Sequence, residues 1–156
     1  MKGRRGAATG DLFGGVPQAA AGAERLAEGA TILRRFAEPD AAALVGAIER
    51  VVAAAPFRRM VTPGGYTMSI AMSNCGPLGW VTDRSGYRYT TTDPTTDRPW
   101  PPLPVVFRDV ATRAAEAAGF ARFEPDACLV NRYEPGTRLS MHQDRNERDF
   151  SAPIVS

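Results

Sequence analysis

His142 is the only histidine among the 156 residues, and it stands two positions before Asp144 in Leu139-Ser140-Met141-His142-Gln143-Asp144. In an extended strand, residues two apart project to the same face, so this imidazole and this carboxylate could reach one metal ion. A facial set of two histidines and one carboxylate, the arrangement that holds non-haem Fe(II), would still need another imidazole. Two readings follow. One is a surface histidine oriented by a neighbouring carboxylate; the other is a pair of ligands whose third member lies outside this sequence. Asp and Glu number 17, so the spacing alone arises readily by chance. A Cys or Ser hydrolase with His142 as base and Asp144 as its orienter fits poorly, because a shared strand face sets the carboxylate beside the ring nitrogens and not behind them.

The elements that would position this pair are legible in part. Ala30 to Phe36 reads as a strand. Leu44, Ile48, Val51 and Val52 recur at helical spacing, after Asp40 as N-cap and before Pro56 as a stop. Val106, Val110, Ala114 and Ala117 predict a second helix, closed by Gly119 at the C′ position. Between the helices, Thr62-Pro63-Gly64-Gly65 reads as a turn, and Tyr66–Met72 and Gly86–Thr90 as strands. The stretch from Thr91 to Pro104 carries five prolines around Trp100 and predicts a rigid surface loop. Two further strands are expected at Ala127–Tyr133 and Arg138–His142, joined by Glu134-Pro135-Gly136-Thr137. Ala152-Pro153-Ile154-Val155-Ser156 reads as the opening of another strand, so the expectation is a chain interrupted within a sheet.

Composition sets the outer bounds. The length suits one domain, and an apolar fraction of 44% with 23% charged residues is that of an ordinary globular chain. Net charge is +2, and Asn131–Asp149 balances four arginines against four acidic residues, so charge does not announce a nucleic-acid binder. Cys75 and Cys128 are far apart in sequence, which excludes a CxxC redox or zinc motif and suggests reduced thiols in a cytoplasmic setting. No signal-peptide pattern follows the basic start, and no stretch approaches the roughly 20 apolar residues of a membrane helix. Residues 1–29 are rich in Gly and Ala and predict a flexible N-terminal arm ahead of a folded domain at 30–156.

Longer motifs narrow the field. Pro125-Asp126-Ala127-Cys128-Leu129-Val130-Asn131-Arg132-Tyr133, then Pro135-Gly136, then the Leu139–Asp144 segment, resembles the AlkB family of Fe(II)- and 2-oxoglutarate-dependent nucleic-acid demethylases. So does Phe57-Arg58-Arg59-Met60-Val61-Thr62-Pro63-Gly64-Gly65-Tyr66-Thr67-Met68-Ser69, with Asn74-Cys75-Gly76 and Leu78-Gly79-Trp80 close behind. The resemblance runs from about Ala30 to Ser156. It implies an α+β fold, a jelly-roll double-stranded β-helix with flanking helices, here with its last strands missing.

It also implies roles. His142 and Asp144 become two of three protein ligands to iron and the catalytic centre; Asn131 and Tyr133 become hydrogen-bonding partners of 2-oxoglutarate. Without the resemblance, that amide and phenol could equally satisfy each other. Trp80 matches the aromatic on which a flipped, methylated base stacks, although a tryptophan in a Gly-flanked loop could also be a core residue. Thr62, Tyr66 and Met68 fall in the family's nucleotide-recognition lid, and Tyr87, Arg138 and Gln143 among its phosphate-backbone contacts.

The implied reaction consumes 2-oxoglutarate and O2, hydroxylates an N-methyl carbon, and releases succinate, carbon dioxide and formaldehyde. The implied partner is alkylated single- or double-stranded DNA, or RNA, met by a monomer with no membrane association. Two departures limit the match. The family's second metal histidine and the arginines that pair with the co-substrate have no counterpart among these residues, so the 156 residues alone are expected to be inactive and aggregation-prone. Asn146 stands where the family often carries an acidic residue near the base. The alternative is a non-catalytic nucleic-acid-binding fragment that keeps only the lid.

Overall fold

The computed structural model describes residues 21–139, 142, 147 and 149–156. The chain divides into two compact units, Met1–Arg35 and Phe36–Ser156. In the first, β1 (Gly22–Ala27) pairs antiparallel with β2 (Ala30–Arg34). Arg34 reaches across this hairpin to the Glu24 carboxylate. The arm expected over residues 1–29 therefore gives way to a strand from Gly22 onward, and residues 1–20 lie outside the described residues. Gly22-Ala23-Glu24-Arg25-Leu26-Ala27 carries no apolar alternation to signal β1, which is exposed at all six positions and is held by its pairing with β2.

The second unit opens with a short 3₁₀ turn, Glu38–Asp40, and α1 (Ala41–Ala54). Asp40 occupies the predicted N-cap position of α1, yet its side chain makes no cap bond. Its carboxylate is taken instead by Arg113 at 2.6 Å. The Arg113 guanidinium also lies 5.6 Å from the Phe36 ring centroid. Ala47 and Val51 turn inward, and the helix stops where Pro56 has no N–H to continue it. Helix α2 (Val105–Ala117) follows Pro104 and ends as predicted at Gly119, whose φ is +95°. Phe120 N–H donates to Ala115 and Gly119 N–H to Glu116, each at 2.9 Å, the two bonds of a Schellman ending.

Between the helices lies the framework of the site. β3 (Ala71–Cys75) is buried at all five positions. On one side Met72 exchanges both of its backbone bonds with Arg58; on the other, β3 pairs antiparallel with β8 (Cys128–Arg132). β4 (Gly79–Asp83) and β5 (Gly86–Thr90) form a second hairpin, and β6 (Thr92–Asp93) pairs briefly with β7 (Arg98–Pro99). The α+β class is as expected. The double-stranded β-helix is not assembled among the described residues, whose strands form four separate pairs.

Several strand boundaries differ from expectation. Tyr66–Ile70 contributes only an isolated bridge, Val61 to Thr67, and the strand proper starts at Ala71. Arg138, Leu139 and His142 are in no strand, because the chain turns away from β8 at Glu134–Thr137 and acquires no ladder partner among the described residues. That turn is well made: Pro135 and Gly136, the latter at φ +86°, let Thr137 N–H donate to Glu134 at 2.9 Å. Residues 152–156 likewise form no strand.

The core gathers Ala55, Met60, Ile70, Met72, Val81 and Trp100, with Met68 and Trp80 packed against it. Trp100 was expected in a surface loop; it is instead 6% exposed and anchors the core. Its indole N–H donates to Thr90 at 3.0 Å, and the Arg58 guanidinium sits 5.3 Å from its centroid. Gly79 is obligatory beneath the ring, since a Cβ there would lie 2.3 Å from Trp100 Cε2.

Candidate active site

Strand period decides which side chains share a face. On β3 and β8 the register pairs Met72 with Asn131 and Asn74 with Leu129, so Met72, Asn74 and Asn131 face one way. Ser73, Cys75, Cys128 and Val130 face the other. Asn131 Nδ2 lies 3.5 Å from the Tyr133 hydroxyl, two residues on, as the alternation predicts. Asn131 Oδ1 is buried without a hydrogen-bond partner among the described residues. A buried amide end left open is costly unless a ligand completes it.

Trp80 lies on β4, not in a loop as expected. Its indole stacks on Tyr87 of β5, with centroids 5.7 Å apart and planes inclined by 26°. Its backbone is held by a side chain: Trp80 N–H donates to Asn74 Oδ1 and Asn74 Nδ2 donates to Trp80 O, both at 2.9 Å. Asn74 is 2% exposed. Tyr89, the register partner of Trp80, donates its hydroxyl to Glu147 Oε1 at 2.6 Å. Glu147, five positions after His142 in the sequence, is thereby tied to the aromatic hairpin. Sequence reading missed Asn74 and Glu147. The only signal available was that Tyr87 and Tyr89 alternate on β5 and so share the Trp80 face.

The remaining expected site residues fall as follows. Thr62 and Tyr66 close a tight turn, with Thr62 N–H donating to Tyr66 O at 2.8 Å and Tyr66 N–H to Thr62 Oγ1 at 3.2 Å. Tyr66 is 78% exposed, open to a partner, whereas Met68 packs on the core. Arg138 and His142 are exposed and outside any strand. Asp144, Gln143 and Asn146 lie outside the described residues. Among the described residues no cluster of three His, Cys, Asp or Glu side chains could hold a metal. Arg59 and Arg132 both reach Glu134, at 3.1 and 3.3 Å, and brace the turn that leads from β8 towards His142.

The β4–β5 turn is fixed electrostatically. The Arg88 guanidinium at 2.6 Å, then the Ser85 backbone N–H, hold the Asp83 carboxyl at about 2, below its ordinary 3.8. A depressed carboxyl stabilises the folded hairpin above its unfolded value and loses that contribution as pH falls through its folded one. The hairpin is therefore expected to keep this support at neutral pH and to lose it between about pH 4 and pH 2, as followed by NMR titration of the Asp83 carboxyl. Asp83→Asn should remove that part of the acid dependence. An unchanged acid profile in the variant would show that the pair is spectator to folding.

Residues 29–156 match the 2OG-Fe(II) oxygenase superfamily. Over 133 residues the chain is 61% identical to the alpha-ketoglutarate-dependent dioxygenase AlkB of Salmonella typhimurium and 59% identical to that of Escherichia coli. Each match covers 85% of this chain and 62% of the relative. The chain belongs to the AlkB family of the 2OG-Fe(II) oxygenase superfamily. A tRNA demethylase, abh1, of Schizosaccharomyces pombe is 32% identical over 80 residues, which cover 51% of this chain and 26% of that protein. The chain thus spans about three-fifths of the length of the two bacterial AlkB proteins it matches.

The superfamily is named for Fe(II) and 2-oxoglutarate, a metal ion and an anion. The donors present suit that set. With the Asn131 amide turned end for end, the Tyr133 hydroxyl donates to Oδ1 and the amide N–H₂ faces the open position, as an anionic oxygen requires. Imidazole and carboxylate, as at His142 and Asp144, are the ligand types of non-haem Fe(II). Among the described residues no helix is long and apolar enough to cross a membrane.

Proposed function

We propose that the protein catalyses oxidative demethylation of N-alkylated bases in nucleic acid. The observation that carries this reading is the open, buried amide end of Asn131 beside Tyr133, in a chain most of which matches proteins named as alpha-ketoglutarate-dependent dioxygenases. The domain would occupy 30–156, with β3 and β8 as the first strands of the family's double-stranded β-helix. DNA, single- or double-stranded, or RNA would be the substrate, in the cytoplasm, with the enzyme acting as a monomer.

In this reading each side chain has a defined task. Asn131 donates its amide N–H₂ to the co-substrate, and Tyr133, whose hydroxyl orients that amide, completes the co-substrate position. His142 and Asp144 hold the metal. Bound Fe(II), with 2-oxoglutarate and O2, supplies the oxidising equivalents that turn an N-methyl into a hydroxymethyl group, which then leaves as formaldehyde. Trp80 stacks on the extruded base, with Tyr87 stiffening the indole from its far side, so the methyl is held where oxidation occurs and water is displaced. Thr62 and Tyr66 present the exposed lid edge, while Arg138 and Gln143 meet the phosphate backbone.

The test supplies Fe(II), ascorbate, 2-oxoglutarate and an oligonucleotide bearing an N-methylated base, and measures succinate and formaldehyde together. It is run on the 156 residues and on the chain extended through its reading frame. His142 is the sole histidine here, so the 156 residues alone should form no succinate, and the extended chain should form succinate and formaldehyde in equal amounts. Asn131→Ala should raise the extended enzyme's KM for 2-oxoglutarate by about ten- to 150-fold, the weight of a hydrogen bond to a charged group. Oligonucleotide binding with no succinate from either preparation would favour the binding-only alternative.

A further inference from the structure

Cys75 and Cys128, 53 positions apart in the sequence, are direct register partners at one end of the β3–β8 pair. Met72 sends its N–H and C=O to Arg58, so the alternate residues Ala71, Ser73 and Cys75 send theirs towards β8. Cys75 and Cys128 therefore form a hydrogen-bonded antiparallel pair, in which Cα atoms sit about 5.5 Å apart. That separation matches the usual spacing across a disulfide, about 5.5–6 Å. Both cysteines are free thiols.

The surroundings hold the pair in place. Gly76, at φ +113°, packs so closely that a Cβ there would meet Asp126 O at 3.1 Å. Its N–H donates to Pro101 at 2.9 Å, and Leu78 N–H donates to Asp126 at 3.0 Å. The strand ends carrying the two thiols are thus pinned from both sides. Interaction with the Cys128 thiol, together with its full burial, pushes the Cys75 thiol up, and the same interaction lowers Cys128. Cys128 is the half-buried member and the better nucleophile; Cys75 has no access to solvent.

We propose that Cys75 and Cys128 are a peroxide-responsive modification site that closes to a reversible cross-strand disulfide. The Cys128 thiolate attacks hydrogen peroxide, the O–O bond breaks, and Cys128 becomes a sulfenic acid while the departing hydroxide takes a proton to give water. Cys75 then attacks that sulfur and gives up its proton, and the hydroxyl leaves as a second water. Two thiols and one peroxide yield one disulfide and two waters. The buried position of Cys75 is an asset here: it meets the sulfenic acid from within, without needing contact with the oxidant. The pair lies on the sheet face opposite Asn74 and Asn131, so the cross-link ties the strands without entering the candidate active site.

The test treats the reduced full chain with hydrogen peroxide and follows intact mass, free thiols after denaturation, and peptides digested without reductant. The expected result is loss of both thiols together, a mass lower by two hydrogens with no added oxygen, an intrachain peptide joining Cys75 to Cys128, and full reversal by dithiothreitol. Cys75→Ser should instead retain the oxygen on Cys128, trapped by dimedone. Cys128→Ser should leave Cys75 reacting at least about tenfold more slowly than Cys128 does in Cys75→Ser, one pKa unit of difference in thiolate. Oxygen uptake by the parent without an internal cross-link, or cross-links only between chains, would overturn the site. Equal reactivity of the two single variants would overturn the order of attack.

Discussion

Trp100→Ala is expected to cost about 3–5 kcal/mol of folding stability, the range for emptying a buried aromatic position. The indole is 6% exposed, joins the six-residue core cluster, donates to Thr90 and lies under Arg58. Truncation would hollow the core cluster that includes Met72 and Val81 and remove the indole donor to the Thr90 carbonyl. Gly79→Ala approaches the same contact from the other side, because its Cβ would fall 2.3 Å from the ring. Both variants should unfold at markedly lower urea than the parent, with Gly79→Ala also shifting Trp100 fluorescence. If Trp100→Ala cost under about 1 kcal/mol, as a surface substitution does, the tryptophan would not be a core anchor.

Trp80→Ala is expected to separate substrate use from metal binding in the extended enzyme, on the reaction proposed above. Base–aromatic stacking is worth about 1–3 kcal/mol per base, so affinity for the methylated oligonucleotide should fall by roughly five- to 150-fold while Fe(II) is retained. His142→Ala should instead lose metal and turnover together, because it removes a ligand. The frame should survive the Trp80 change, since Asn74 holds the backbone at that position and not the ring. Parent-like binding and demethylation by Trp80→Ala would sink the stacking role and return Trp80 to being support for the core against which it packs.

The helices were legible because a 3.6-residue apolar period and the breakers Pro56 and Gly119 are local signals. β5, β8 and the Pro135-Gly136 turn were legible for similar reasons, and so was the shared side of Asn131 and Tyr133, which follows from alternation alone. The misreadings arose where pairing, not pattern, decides. Tyr66–Ile70 alternates like a strand, but its neighbours offer only one bridge and a single bond from Met68 N–H to Met60. Proline density around Trp100 signalled a surface loop, while the glycine that lets the ring inward sits 21 positions earlier in the sequence. The meeting of Cys75 and Cys128 depends wholly on register, which no spacing reveals.

The Asn74 amide behaves towards Trp80 as a second peptide group would, accepting from its N–H and donating to its C=O. Aspartate lacks the donor and leucine lacks both, so position 74 admits very few residues. Position 80 is under no such constraint, because everything Asn74 grips is main chain. On the function proposed above, selection can exchange the Trp80 side chain, and with it the preferred base, while the Asn74 clamp on the backbone stays unchanged. Variation across relatives should be read in that order, with the asparagine as fixture and the tryptophan as replaceable fitting.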